Sequence, residues 1–469
     1  MRFRGGYDIL LQGRPEGLVR PMPEPATLYL PLRSPRFTFT EICVRHGQDV
    51  KAGDPLARDR RNHGVPLLAP RSGRVNLESA ENHTVLEQAV KLQQPSDPAR
   101  KQMSHIERES GAAVMRQRQL LALGAWQFFY DAHTGALPDP TGSPQAIIVC
   151  TLGLEPFVTR GDVQLRSRLL NFTRGLEHLQ SLLEYQPIFL AIPDIRSDFA
   201  DIIRNRIRGY ASVKILAVPL TYPYDNFRIL ARRLGLKRSN GPVWALRTEG
   251  ILAVDRALTL TKPCLVRIVS IGGAGVVPAT HIKVMPGYPL KMIKEKYVFE
   301  PVARIINGGI LTGETLGEQT LGLDAECRGL TVLPEQEGRE FLGFTRPGWG
   351  RSAYAPCFLS SLRQRFRERF STGMRGEGRP CISCNYCEDV CPAGIAPHLI
   401  HKYLYRGLID GAERARVDLC VECGLCSFVC PSKIDLRRQF FEVKQLIHDE
   451  KQAICEEKAR LEAVREAGK

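Results

Sequence analysis

Apolar residues in the middle of the chain fall into short, unbroken runs: Ala146-Ile147-Ile148-Val149-Cys150, Ile188-Phe189-Leu190-Ala191-Ile192 and Ser212-Val213-Lys214-Ile215-Leu216-Ala217-Val218. Runs of this length suit buried strands. The longer mixed stretches between them, Val163 to Tyr185 and Ser197 to Arg208, suit helices. Strand, helix, strand alternation predicts a parallel α/β sheet over 145–260. No Gly-x-Gly-x-x-Gly follows its first strand, so a dinucleotide turn of the usual kind is not expected there. From Leu265 the texture turns to β, with Leu265–Ser270, Gly272-Gly273-Ala274-Gly275, His281–Val284 and Ala303 to Ile310. A β-grasp-like unit over 261–325 fits. Its glycines read as a hairpin connection, because no helix follows to turn its N-terminal dipole toward a phosphate.

Near the start, Val44 to Leu56 and then Pro70 to Val75 read as short strands turned by Gly and Asp. The pattern resembles the flattened barrel-sandwich of lipoyl and biotinyl domains. Such carriers need a lysine at the hairpin tip, and the corresponding stretch, Arg58 to Val65, has none. A swinging arm is therefore not expected, and His46 and His63 read as turn or surface residues. Between Ser96 and Pro144 lies a charged stretch that predicts a helical connector, ending on the boundary residues Pro138, Pro140 and Pro144.

At 469 residues the chain is long enough for three or four domains, and 43% hydrophobic with 25% charged residues excludes wholesale disorder. No apolar run approaches the ~18 residues of a membrane-spanning helix, and the start lacks the apolar core of a secretory signal. The expectation is a protein on the cytoplasmic side with no direct membrane span. The formal charge of +15 suits nucleic acid, anionic lipid or an acidic protein as partner and does not choose among them. No interleaving of aromatic and basic residues favours nucleic acid.

Eight of the 14 cysteines form two matching runs, Cys381-Ile-Ser-Cys384-Asn-Tyr-Cys387-Glu-Asp-Val-Cys391-Pro392 and Cys420-Val-Glu-Cys423-Gly-Leu-Cys426-Ser-Phe-Val-Cys430-Pro431. This is the bacterial ferredoxin spacing written twice, in which the fourth cysteine ligates the other cluster. The expected ligands are Cys381, Cys384, Cys387 and Cys430 for one [4Fe-4S] cluster, and Cys420, Cys423, Cys426 and Cys391 for the second. A pair of four-cysteine zinc sites is the competing reading, disfavoured by the spacing and the terminal Cys-Pro. Cys43, Cys150, Cys264, Cys327, Cys357 and Cys455 lack partners at ligand spacing and read as core or surface thiols.

Between the two runs, Leu399, Ile400, Tyr403, Leu404, Leu408 and Ile409 recur at helical spacing and are expected to pack against the clusters. Ahead of them, Arg363, Arg365, Arg367, Arg369, Arg375 and Arg379 read either as a solvated face or as a dock for an acidic electron-transfer protein.

The order of these units resembles the C subunit of the Rnf ferredoxin:NAD oxidoreductase over nearly the whole chain. The opening Gly6 to Glu16 and the segment Ile310-Leu311-Thr312-Gly313 are more similar to the A subunit of the sodium-translocating NADH:quinone reductase. The resemblance implies a multidomain α/β plus β fold: a barrel-sandwich hybrid (1–95), a helical connector (96–144), a Rossmann-like α/β domain (145–260), an SLBB-like β-grasp (261–325), a linker (326–372), and a helical dicluster domain with a C-terminal helix (373–469). It also implies membrane subunits of an Nqr/Rnf-type complex as partners, and a peripheral place on the cytoplasmic face of the inner membrane. The Gly-Gly-x-Gly-Phe-Pro loop of the Rnf protein, which the resemblance links to FMN and NADH, is replaced here by Leu123-Gly124-Ala125-Trp126-Gln127-Phe128-Phe129-Tyr130. The expectation is an electron carrier with no bond-making residue of its own. The alternative is a dehydrogenase subunit that binds FMN and NADH through the Gly272 loop.

Overall fold

The computed structural model describes residues 3–77, 83–87, 112–183, 186–195, 197–299, 303–336, 347–363, 366–373 and 378–467. The first part of the expected connector, 96–111, and two of the six arginines, Arg365 and Arg375, lie outside them. The chain divides into two compact units. One comprises Ile9–Gln336 with Arg369–Thr372, and the other Met1–Asp8, Glu337–Glu368 and Gly373–Lys469.

The larger unit begins with two small antiparallel sheets. Thr27–Pro31, His83–Glu87, Gly73–Asn76 and Asp49–Val50 form one, and Glu41–Ile42, Pro55–Asp59 and Val65–Leu68 the other. Period-two alternation sends Leu28, Leu30, Leu56, Val65, Leu67 and Val75 into a shared core with Phe37 and Phe39. The hairpin tip where a carrier lysine would stand is closed by Asp59. This buried carboxylate accepts from the backbone of Thr38 at 2.9 Å and Arg61 at 3.0 Å and from the Asn62 amide at 2.8 Å.

The predicted parallel sheet is present, in the spatial order Val213–Val218, Ile188–Pro193, Ala146–Cys150, Val243–Arg247. Every residue of the central strand Ala146–Cys150 is buried, as its uninterrupted apolar sequence requires. Phe129–Asp131 adds an antiparallel edge, so the stretch expected to be a purely helical connector supplies a strand after the helix Ala112–Ala122. Trp126, fully buried, stacks on Phe129 with ring centroids 4.2 Å apart, meets Trp244 edge-on at 5.1 Å, and donates its indole N–H to the Pro138 carbonyl at 3.0 Å. The segment standing in place of a flavin loop is thus turned into the core.

A third sheet runs Val19–Pro21, Thr280–Val284, Arg267–Gly272, Gly329–Pro334, Ala303–Asn307, Glu314–Thr315. Helix Leu290–Tyr297 lays Leu290, Ile293 and Tyr297 over its apolar face. Gly329–Pro334 is wholly buried and lies parallel to Arg267–Gly272, although it falls in the stretch expected to be linker. Its apolar residues, Leu330, Val332 and Leu333, are few, interrupted by Thr331 and preceded by charged residues, which hides the strand in the sequence.

One ion pair ties the parts of this unit together. Arg36 binds Glu326 at 2.5 Å, donates to the carbonyls of Phe129 at 2.9 Å and Gln127 at 2.5 Å, and lies 3.7 Å from the Tyr130 ring centroid. Both side chains are at most 15% exposed, so removing the carboxylate strands a buried cation. Glu326→Ala is expected to destabilise this unit by about 3 kcal/mol, read as a lowered denaturation midpoint. Arg36→Met with Glu326→Leu should recover much of the loss.

Candidate metal centre

The second unit is built on a repeat. Each cysteine of the first run is followed 39 residues later by its counterpart in the second, and the backbone repeats with it. Ser383, Asn385 and Gly394 take left-handed φ values of 56°, 62° and 67°, and Glu422, Gly424 and Lys433 repeat them at 57°, 77° and 57°. These left-handed residues bend the loop so that thiols three residues apart turn to the same side. A one-turn helix follows in each half, Tyr386–Asp389 and Leu425–Phe428. A longer helix then starts at the same place in both repeats, at Pro397 and at Leu436. Pro397 occupies the first helical position, where its missing N–H leaves no bond unmade.

The thiols border two cavities. Cys381, Cys384, Cys387 and Cys430 surround the first, together with Ile382, His398 and Leu436. Cys391, Cys420, Cys423 and Cys426 surround the second, with Ile395, Arg437 and Phe440. Each cavity therefore gathers three thiols from one run and the last thiol of the other. The exchange happens at the one-turn helices. Cys387 and Cys391 stand four residues apart and line different cavities, and so do Cys426 and Cys430. Among the described residues no three cysteine, histidine or carboxylate side chains converge closely enough to hold a single metal ion, so the donors ring a space rather than a point.

Burial is the first cause of the thiol electrostatics. It pushes Cys387 and Cys420 up to about 11, Cys423 up to about 12, and Cys426 well above its ordinary value, and neighbouring thiols push in the same direction. The backbone N–H groups of His398, Glu422 and Leu425 oppose the shift by pointing at the sulfurs of Cys387, Cys420 and Cys423. Without a metal these thiols keep their protons, and ligation releases them.

The core beneath joins Cys387 and Cys391 to Ile395, Ile400, Val417, Leu436, Phe440 and Val443. Of the apolar residues expected to pack here, Ile400 is fully buried, and Tyr403 and Leu404 are partly so. Leu399 is exposed on the helix Pro397–Tyr405, and Leu408 and Ile409 are exposed where that helix stops short of Gly407, at φ 70°, and a second helix begins at Ile409. Arg363, Arg367, Arg369 and Arg379 are exposed. Of the six other cysteines, Cys150 and Cys327 are buried, Cys264 is half-buried, and Cys43, Cys357 and Cys455 are exposed.

No motif marks the first residues of the chain as part of this unit. Gly6 donates its N–H to the Val390 carbonyl at 2.9 Å, and Tyr7 packs between Tyr354 and Phe428 at 5.6 and 6.2 Å. Gly5, at φ 64°, lies so close to Cys391 that a Cβ would stand 2.6 Å from its carbonyl. Only glycine fits there.

The comparisons with known proteins agree with this geometry. Residues 380–435 match the family described as a 4Fe-4S dicluster domain, and residues 1–90 match the NqrA N-terminal barrel-sandwich hybrid domain. The chain joins an NqrA-type N-terminal domain to an iron–sulfur dicluster domain. Its relatives include the A subunit of the Na(+)-translocating NADH-quinone reductase of Tolumonas auensis, 24% identical over 88% of this chain and 91% of that protein. The same reductase component of Alcanivorax borkumensis is 25% identical over 79% of this chain and 81% of that protein. An NAD+-reducing [NiFe]-hydrogenase chain superposes over 47% of each chain with 15% identity and a TM-score of 0.37, too loosely to bear on the fold. A match to an NqrA-type N-terminal domain followed by a match to a dicluster domain is the hybrid pattern expected from the motifs.

The crossed cavities make a distinct prediction for the dicluster domain. Cys430→Ala is expected to remove the cluster of the Cys381 run, and Cys391→Ala the cluster of the Cys420 run, each variant retaining about half the iron. Iron analysis combined with the EPR spectrum of the surviving cluster checks this, since the two single variants must leave different spectra.

Proposed function

We propose that the chain is a peripheral electron-transfer subunit of a membrane-bound, ion-translocating oxidoreductase of the NADH:quinone or ferredoxin:NAD type, standing on the cytoplasmic face of the inner membrane. Cys381, Cys384, Cys387 and Cys430 hold one [4Fe-4S] cluster, and Cys391, Cys420, Cys423 and Cys426 the second. The observation that carries this reading is the pair of cavities, each ringed by four thiols and sharing one-turn helices. Four thiols spread around a space fit a cubane, whose irons lie inside the ring of sulfur ligands, better than a single zinc that draws its ligands to about 2.3 Å. Each cluster supplies one-electron transfer. What the chain itself contributes is placement, a dry apolar floor and N–H donors to sulfur.

Membrane subunits of the complex are the natural partners, because the relatives are named as components of a reductase and, among the described residues, no helix is long and apolar enough to cross a membrane. The exposed Arg363, Arg367 and Arg379 suit an acidic electron-transfer protein. The domain reading follows the sheets: a barrel-sandwich at the start, a Rossmann-like α/β layer, and a β-grasp in which the strands Arg267–Gly272 and Gly329–Pro334 lie parallel at the centre.

The dehydrogenase alternative needs open backbone donors in the Gly272 loop, and the geometry argues against it. Gly273 gives its N–H to Gly13 at 3.0 Å and Gly275 gives its own to Val332 at 3.1 Å. Gly273 sits at φ 112° with no room for a Cβ against the Val332 backbone. Its glycines serve close backbone packing.

Anaerobically purified full chain is expected to contain about eight irons and eight acid-labile sulfides, as two cubanes require, and to lack flavin. Stoichiometric zinc without labile sulfide, or tightly bound FMN, contradicts the reading.

A further inference from the structure

The 39-residue repeat that equates the cysteines also equates the residues lining the two cavities, and their ionisable side chains differ: the second is lined by Glu422, in the place of Ser383, and by Arg437, in the place of His398. Counting forward from His398, which borders the first cavity, gives Arg437, which borders the second. Each is the second residue of the helix that closes its half. We propose that Arg437 sets the reduction potential of the second cluster above that of the first, so that an electron shared between them rests at the Cys391, Cys420, Cys423, Cys426 site. The proposal rests on the two-cluster relay reading.

Reduction adds one negative charge to a cluster, and a fixed cation beside it favours the reduced form. The Arg437 guanidinium is charged at every physiological pH. It is half-buried, and its Nε donates to the Glu422 carbonyl at 3.1 Å, which pins it over the loop between Cys420 and Cys423. At the first cavity the equivalent His398 stands with Nδ1 3.5 Å from the Glu388 carboxylate. The counterpart of Glu388 in the second repeat is Ser427, which instead accepts the Arg437 backbone N–H at 2.9 Å and caps the helix. A carboxylate near the first site is thus replaced by a hydroxyl near the second.

The neighbouring lysines do not cancel this difference. Lys402 donates to the Ser383 hydroxyl at 2.9 Å beside the first site, and Lys444 donates to the Cys420 carbonyl at 3.1 Å beside the second. Lys444 is also paired with Glu422. Glu422, whose counterpart in the first repeat is Ser383, is thus offset by Lys444, and the contrast falls to Arg437.

An EPR-monitored redox titration of the anaerobic full chain tests this. The wild type is expected to show two one-electron steps. Arg437→Gln should lower the higher potential, with about a tenfold loss in the reduction equilibrium, or ~59 mV for a one-electron couple, and leave the lower potential in place. Arg437→Lys should restore most of the shift, and His398→Arg should raise the lower potential. Arg437→Gln with full iron and unmoved potentials, or with both moved equally, overturns the proposal. If Arg437→Gln loses iron, the other two variants decide: a shifted higher potential in Arg437→Lys together with an unshifted lower one in His398→Arg also overturns it. A wild-type chain without labile sulfide brings down the relay reading as well, which separates the two failures.

Discussion

Cys387 and Cys391 are four residues apart around a single turn of helix and face different cavities, and the second repeat does the same with Cys426 and Cys430. Everything else in the cluster unit follows from this exchange. Neither half can complete its thiol set alone, so the two runs must fold against each other. The left-handed residues before each helix turn three thiols to one side, and the turn of helix then carries the fourth across. Ile400, Val417, Leu436 and Phe440 fill the space beneath both sites, which makes one core out of two loops.

Much of this site was legible in the sequence because thiol spacing is dictated by coordination chemistry and tolerates little change. The eight cysteines and their grouping could be read directly. The residues around them could not, because His398 and Arg437 acquire meaning only when the constant offset of the repeat is combined with their places on the cavity walls. The segment from Phe3 to Asp8 was equally hidden. Its attachment to Val390 and Cys391 runs through backbone groups, which carry no side-chain signal.

In the larger unit the strands with unbroken apolar runs were legible, and the short or edge ones were not. Ala146–Cys150 is buried on both faces and reads as a strand at once. Phe129–Asp131 has three residues, one pairing partner and an acidic end, and reads as connector. Gly329–Pro334 is recognisable only by its pairing with a strand about sixty residues earlier, Arg267–Gly272. The glycines of the Gly272 loop and the aromatics from Trp126 to Phe129 share a lesson: both occupy places where a cofactor loop was conceivable, and both are spent on packing within the protein.

The most direct test of the crossed arrangement is the magnetic interaction between the two sites in fully reduced, iron-loaded protein. Ligands four residues apart on a turn of helix, a rise of about 6 Å, would hold two clusters close enough for their unpaired spins to couple. The EPR spectrum of the fully reduced chain should therefore be broadened and split by this coupling, and should simplify to a single uncoupled signal when only one electron has been added. Two additive, independent signals at full reduction, or one cluster alone, would contradict the shared one-turn helices as the centre of the structure.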